Sequence, residues 1–160
     1  MYRGVPSVDR LAPDRVFYLR HEDSADVLGE WLAELDSAVS WYIGSVNRPA
    51  TTRLLEWQRT HRPQDRVVLL TYEDVPLDVR VPDPDMVGID RLLDAAAADR
   101  LRREGSPAVV VDLGTAITVD LVSADGGFLG GAILPGLAMA ARALHDYTDL
   151  LPLIDVTRLD

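Results

Sequence analysis

The stretch Val109-Val-Val-Asp112-Leu-Gly114-Thr115-Ala-Ile-Thr118-Val-Asp120-Leu-Val-Ser-Ala-Asp-Gly-Gly-Phe-Leu-Gly-Gly131 decides the fold. Three valines run into an Asp-x-Gly-Thr turn, and an alternating apolar pattern resumes at once in "ITVDLV". The spacing predicts successive strands joined by tight glycine turns, with Val109, Val110 and Val111 buried on both faces. An acid, a glycine and a hydroxyl at a strand end also suit phosphate. The Asp can hold a hydrated cation, the Gly lets backbone approach, and the Thr hydroxyl and nearby amides donate. On those four residues alone, a plain hairpin with Asp and Gly as turn formers explains as much. Thr118 and Asp120 extend the pattern, and "GGFLGGAILPG" follows with five glycines and a proline in eleven residues. Such a segment brings backbone close to a ligand, or simply makes two tight turns.

Working outward, "LAMAARALHDYTDLL" reads as a final helix and "DRLLDAAAADRLRRE" as an alanine-rich one, C-capped at Gly105. Before it, "VPLDVRVPDPDMVGID" carries three prolines and should be extended and irregular. Further upstream, strand candidates at Arg15–His21, Val39–Val46 and "DRVVLLTY" alternate with two amphipathic helices, "SADVLGEWLAELD" and "ATTRLLEWQRTH". Ser24 is a plausible cap for the first helix. Strand–helix alternation signals a layered α/β domain. The 160 residues make one ordinary domain or two small lobes.

Composition narrows the chemistry. There is no cysteine, which excludes disulfides, thiolate metal sites and a cysteine nucleophile. All 16 cationic residues are Arg, so a lysine nucleophile and a Gly-Lys-Ser/Thr phosphate loop are excluded. The formal net charge of -10 argues against nucleic-acid binding. No apolar run is long enough for a membrane span and no signal-peptide core opens the chain, so a cytoplasmic location is expected.

A second candidate site, Gly88-Ile89-Asp90-Arg91, sits where the proline-rich segment enters a helix. N-capping by Asp90 explains it economically. The functional reading is a carboxylate that takes a proton from a substrate hydroxyl, with Arg91 orienting the site. "WYIGSVNRP" is strand plus turn and demands no catalysis.

In this order, "IGSVNRP", "PDMVGIDRLLDAAAA", "VVVDLGTAITVDLVS" and "GGAILPG" resemble the type III pantothenate kinase family. The resemblance implies an incomplete actin-like, ribonuclease-H-like α/β kinase fold, with residues 1–104 as most of a first lobe and 105–160 as the start of a second. It implies ATP-dependent phosphorylation of pantothenate, the first step toward coenzyme A, by a cytoplasmic homodimer using Mg2+ and a monovalent cation, K+ or NH4+. Asp90 resembles the general base, and Gly88, Ile89, Asp90 and Arg91 the pantothenate site. Gly114 and Thr115 resemble the ATP contact and Asp112 the monovalent-cation ligand. Three departures stand out. Members begin with a strand ending in Asp-x-Gly-Asn-Thr, which "VDRLAPDR" does not replace; they carry a later threonine that contacts substrate; and Val81 stands where a tyrosine often touches pantothenate. The expectation is therefore a central fragment with impaired activity. The alternatives are a non-catalytic binding or regulatory remnant, and another actin-like small-molecule kinase.

Overall fold

The computed structural model describes residues 26–33, 35 and 37–156, and the strand expected at Arg15–His21 and the Ser24 cap lie outside them. The chain divides into two compact units, one ending at Asp74 but including Gly88–Asp90, the other formed by Val75–Val87 and Arg91 onward.

In the first unit, helix α1 (Val27–Trp31) precedes strand β1 (Ser40–Ile43), helix α2 (Arg48–His61) and strand β2 (Arg66–Leu69). β1 and β2 pair in parallel, Ser40 opposite Arg66 and Ile43 opposite Leu69, as a crossover through a helix requires. α2 starts where Asn47 accepts a hydrogen bond from the Ala50 amide at 3.0 Å, with Pro49 in its first turn. Its apolar stripe brings Trp57 onto Leu28 and Leu32, with Trp31, Trp41 and Leu54 packed around them. Trp41 meets Trp57 edge-on, with ring centroids 6.5 Å apart, and His61 stacks on Trp57 at 4.8 Å. The expected strand Val39–Val46 is shorter and less buried than its composition suggests, since Tyr42 is 64% exposed. With two described strands in this sheet, one face of β1 stays open to solvent.

A buried carboxylate organises that unit. Asp65 accepts from the Val39 amide (3.1 Å), the Trp41 indole (2.8 Å) and Arg62 Nε (2.8 Å). Arg62 in turn donates to the carbonyls of Leu35 (2.9 Å) and Ser37 (2.8 Å). The pair thus ties the end of α2 to the chain entering β1. These contacts hold the Asp65 carboxyl at about 2; the Arg62 hydrogen bond is the largest cause, burial opposes it, and the Trp41 and Val39 donors reinforce it.

The second unit is a four-stranded sheet in the order β3-β6-β5-β4, formed by β3 (Asp78–Val79), β4 (Ala108–Leu113), β5 (Ala116–Val122) and β6 (Gly127–Pro135). β4, β5 and β6 make an antiparallel meander, while the short β3, inside the proline-rich segment, pairs in parallel with β6. Helix α3 (Ile89–Leu101) contributes the fully buried Leu92 and Ala95, and the sheet contributes Val122 and Phe128. At its far end, α3 is fastened by Arg102, which donates to the Ser106 and Ala124 carbonyls at 2.9 and 2.8 Å. Gly105 is not the expected C-cap: α3 ends four residues earlier, and Gly105, at φ +70°, lies in the turn closed by the Ser106 amide donating to the Arg103 carbonyl at 3.0 Å. Helix α4 (Leu137–Asp146) closes the chain's described secondary structure, shorter than the expected Leu137–Leu151.

A further expectation fails here. Val109 and Val111 are 65% and 54% exposed, so β4 is not buried on both faces. Among the described residues β4 is an edge strand, and its exposed odd-numbered side chains share a face with the half-buried Ile117 and Val119 and the exposed Leu121 of β5. A run of β-branched residues signals strand, but it does not reveal what covers each face.

Candidate active site

The Asp112–Thr118 segment is a hairpin, as its spacing suggests. Asp112 lies opposite Thr118 and Leu113 opposite Ile117, and the Gly114 amide donates to the Ala116 carbonyl at 2.9 Å to close the turn. Asp112 is exposed and sits inside β4, one residue before the strand ends. The Gly136 amide donates to the Thr115 carbonyl at 2.9 Å, and Gly136 is the N-cap of α4. A Cβ at position 136 would collide with the carbonyl oxygens of Gly114 and Thr115. Only glycine allows the start of α4, with its unpaired amides, to abut the hairpin turn so closely.

Among the described residues, no three His, Cys, Asp or Glu side chains gather into a metal cluster. The hairpin offers one carboxylate with the hydroxyls of Thr115 and Thr118. That oxygen set fits Mg2+ shared with phosphate, or a monovalent cation, and does not fit a soft metal.

Gly88, Ile89, Asp90 and Arg91 lie together at the start of α3. Asp90 is not the cap: Ile89 is the first helical residue and Asp90 stands in the first turn, where the helix dipole favours an anion. Its carboxylate folds back over Gly88, so that a Cβ on Gly88 would fall 2.5 Å from Asp90 Oδ1. The glycine of Gly-x-Asp-Arg is what admits the carboxylate there.

Arg91 turns onto the sheet. Its Nε donates to Asp120 Oδ2 at 3.0 Å and its Nη2 to Asp120 Oδ1, while Cζ lies 5.8 Å from the centroid of the Phe128 ring. Asp120 is 2% exposed. Two residues of β6, Leu129 and Gly130, oppose Leu121 alone, a bulge that places Gly130 at φ +88°. The bulge adjoins a cleft of about 290 Å³ whose lining includes Val81, Asp83, Met86, Val87, Arg91, Phe128 and Gly130. Val81 is part of this wall.

Sequence reasoning missed Asp120, Phe128 and Gly131 as neighbours of Arg91. A signal existed, because an acid inside an alternating apolar strand must find a partner if it is buried.

Residues 6–160 match the family model described as type III pantothenate kinase. The chain belongs to that family. It is 56% identical over 90 residues to the type III pantothenate kinase of Rhodopirellula baltica, covering 56% of this chain and 32% of that protein. It is 43% identical over 131 residues to that of Gloeobacter violaceus, covering 81% and 52%. With that of Chlorobium luteolum it shares 31% over 158 residues, covering 99% and 58%. The matches thus span between 32% and 58% of the length of these curated relatives. Among the described residues, no helix of this type III pantothenate kinase family member is long and apolar enough to cross a membrane.

Proposed function

We propose that this chain carries the pantothenate-binding and phosphate-binding hairpin parts of a kinase that transfers the terminal phosphoryl group of ATP to the hydroxyl of pantothenate. The observation that carries the proposal is the Asp112–Thr118 hairpin, closed against Gly136 at the start of α4, in a chain of this family. A turn with glycine backbone, threonine hydroxyls and a helix start beside it supplies the donors that phosphate requires.

In this reading the chain has an actin-like architecture, with lobes dividing near residues 104 and 105. Asp90 takes the proton from the pantothenate hydroxyl as it attacks, and Gly88, Ile89 and Arg91 bind the acceptor with it. Gly114 and Thr115 contact ATP, and Asp112 holds the monovalent cation, K+ or NH4+. Mg2+ arrives with the nucleotide and neutralises charge on the phosphates. With no lysine in the chain, positioning falls to backbone amides, hydroxyls and arginine. The protein works in the cytoplasm as a homodimer, and the exposed Leu137, Met139 and Leu144 of α4 suit such a surface.

A coupled assay of ATP-dependent pantothenate phosphorylation with magnesium and potassium tests this. The wild-type chain should release ADP only when pantothenate is present. Asp90→Asn should lower kcat by roughly 10²- to 10⁴-fold, with its circular dichroism unchanged. ADP release that ignores pantothenate, or that survives Asp90→Asn, would overturn the assignment.

A further inference from the structure

The pair Arg91–Asp120 has more geometry than holding a helix on a sheet requires. Asp120 is 2% exposed and uses both carboxylate oxygens on one arginine 29 positions away. The arginine side chain is itself 14% exposed and forms part of the wall of the 290 Å³ cleft. A buried ion pair is a poor way to gain stability, because desolvating both charges offsets their attraction, and apolar side chains of similar volume would hold the helix as well. A fork on the Nε–Nη2 edge does something apolar packing cannot: it sets the plane of the guanidinium. The Phe128 ring lies beside the same guanidinium, its centroid 5.8 Å from Arg91 Cζ. Gly131 lets the two strands and the carboxylate lie this close, since a Cβ there would collide first with the Val119 carbonyl oxygen and then fall 2.5 Å from Asp120 Oδ1. The bulge at Gly130 brings this backbone to the cleft wall.

We infer that Asp120 is a positioning residue: it aims Arg91 so that the cleft takes a small molecule with an anionic group at Arg91 and a flexible body along Val81, Met86 and Val87. The inference rests on the proposed function, in which that molecule is pantothenate. Asp120 touches neither substrate nor nucleotide in this account and acts through Arg91 alone. Its loss therefore weakens acceptor binding and leaves phosphoryl transfer and ATP binding nearly intact.

The test is a double-mutant cycle on the full chain with Asp120→Asn, Arg91→Lys and both together. Pantothenate KM, ATP KM and kcat are read alongside direct pantothenate binding by calorimetry and the melting temperature. Asp120→Asn should raise pantothenate KM and Kd about tenfold, with ATP KM and kcat within about threefold. Arg91→Lys, which cannot fork, should do the same or more. The double variant should be little worse than Arg91→Lys, because one residue acts through the other. Additive effects, or pantothenate and ATP constants that move together with the melting temperature, would show a merely structural pair and overturn the inference. Should Asp120→Asn not fold, Asp120→Glu takes its place, and failure of both to fold would also overturn it. Wild-type protein that neither binds nor phosphorylates pantothenate would sink the proposed function itself, a result distinct from a wild type that binds and an Asp120 variant that binds equally well.

Discussion

Asp65 and Asp120 are both buried aspartates paired with an arginine, one in each compact unit, and their surroundings differ in a way that separates architecture from recognition. Asp65 meets Arg62 three residues away and fills its remaining capacity with the Val39 amide and the Trp41 indole. Arg62 reaches the second Asp65 oxygen through Nη2 at 3.3 Å and also donates to the Leu35 and Ser37 carbonyls. Every contact in that cluster returns to the chain, so the cluster fastens loops. Asp120 meets an arginine from a distant helix, and that arginine stands in the wall of a cleft. The same ion pair serves packing where it is closed by backbone, and ligand orientation where one partner reaches a cavity.

The largest expected effect comes from breaking the closed cluster. Asp65→Ala removes the acceptor for the Val39 amide, the Trp41 indole and two Arg62 nitrogens, and leaves the mostly buried Arg62 with backbone carbonyls but no counter-charge. The melting temperature should fall by on the order of 10 °C. Pantothenate KM of the protein that remains folded should stay within about twofold. A variant that kept its melting temperature but lost pantothenate binding would reverse the roles assigned to the two aspartates.

Next in size is Gly131→Ala. The added methyl collides first with the Val119 carbonyl oxygen, so the β5 backbone must shift and carry the Asp120 carboxylate with it. Pantothenate KM should rise roughly fivefold to tenfold, in the same direction as Asp120→Asn and by no more than that variant. Gly29→Ala is the control, since a Cβ there meets Trp57 at an ordinary 3.6 Å and alanine favours helix. If Gly131→Ala leaves KM unchanged, the fit between Gly131 and Asp120 does not govern Arg91.

Acid should reveal the closed cluster as well. The Asp65 carboxyl is held at about 2 in the folded chain, below the roughly 3.9 of an unfolded aspartate. Its contribution to stability is fully present above that unfolded value and is lost as pH falls through the folded one. Denaturant midpoints measured from pH 5 down to 2 should decline for the wild type and decline less steeply for Asp65→Asn. Parallel slopes would mean that other carboxylates dominate acid unfolding.

What the sequence revealed of these features follows from the range over which each is determined. The Asp112–Thr118 hairpin and α3 were legible because turn glycines and helical periodicity are local. The Gly88–Arg91 helix start was legible too, although Asp90 proved to be in the first turn and not its cap. The exposure of Val109 and Val111 was not legible, because edge position depends on strand order. The partnership of Arg91 with Asp120 crosses 29 positions, and that of β3 with β6 rests on only two residue pairs. Asp65 was hidden in the turn "RPQD", where an acid is unremarkable until its donors are seen together.

A third arginine–aspartate group sharpens the comparison by removing burial from it. Arg80 donates to Asp78 at 2.6 Å and to both oxygens of Asp125 at 3.0 and 2.9 Å, a geometry as good as either buried pair. Its side chain is 38% exposed, and those of Asp78 and Asp125 are 65% and 67% exposed. It lies across Gly127, where a Cβ would fall 2.5 Å from the guanidinium. Arg80→Met keeps the apolar stem over that glycine and deletes only solvent-screened pairs. The melting temperature should move by no more than about 2 °C, and the wild-type difference should shrink further as salt shortens the screening length. Were Arg80→Met to cost as much as Asp65→Ala, hydrogen-bond geometry and not enclosure would be what gives these pairs their weight. The distinction between a fastening pair and an aiming pair would then have to rest on the cleft alone.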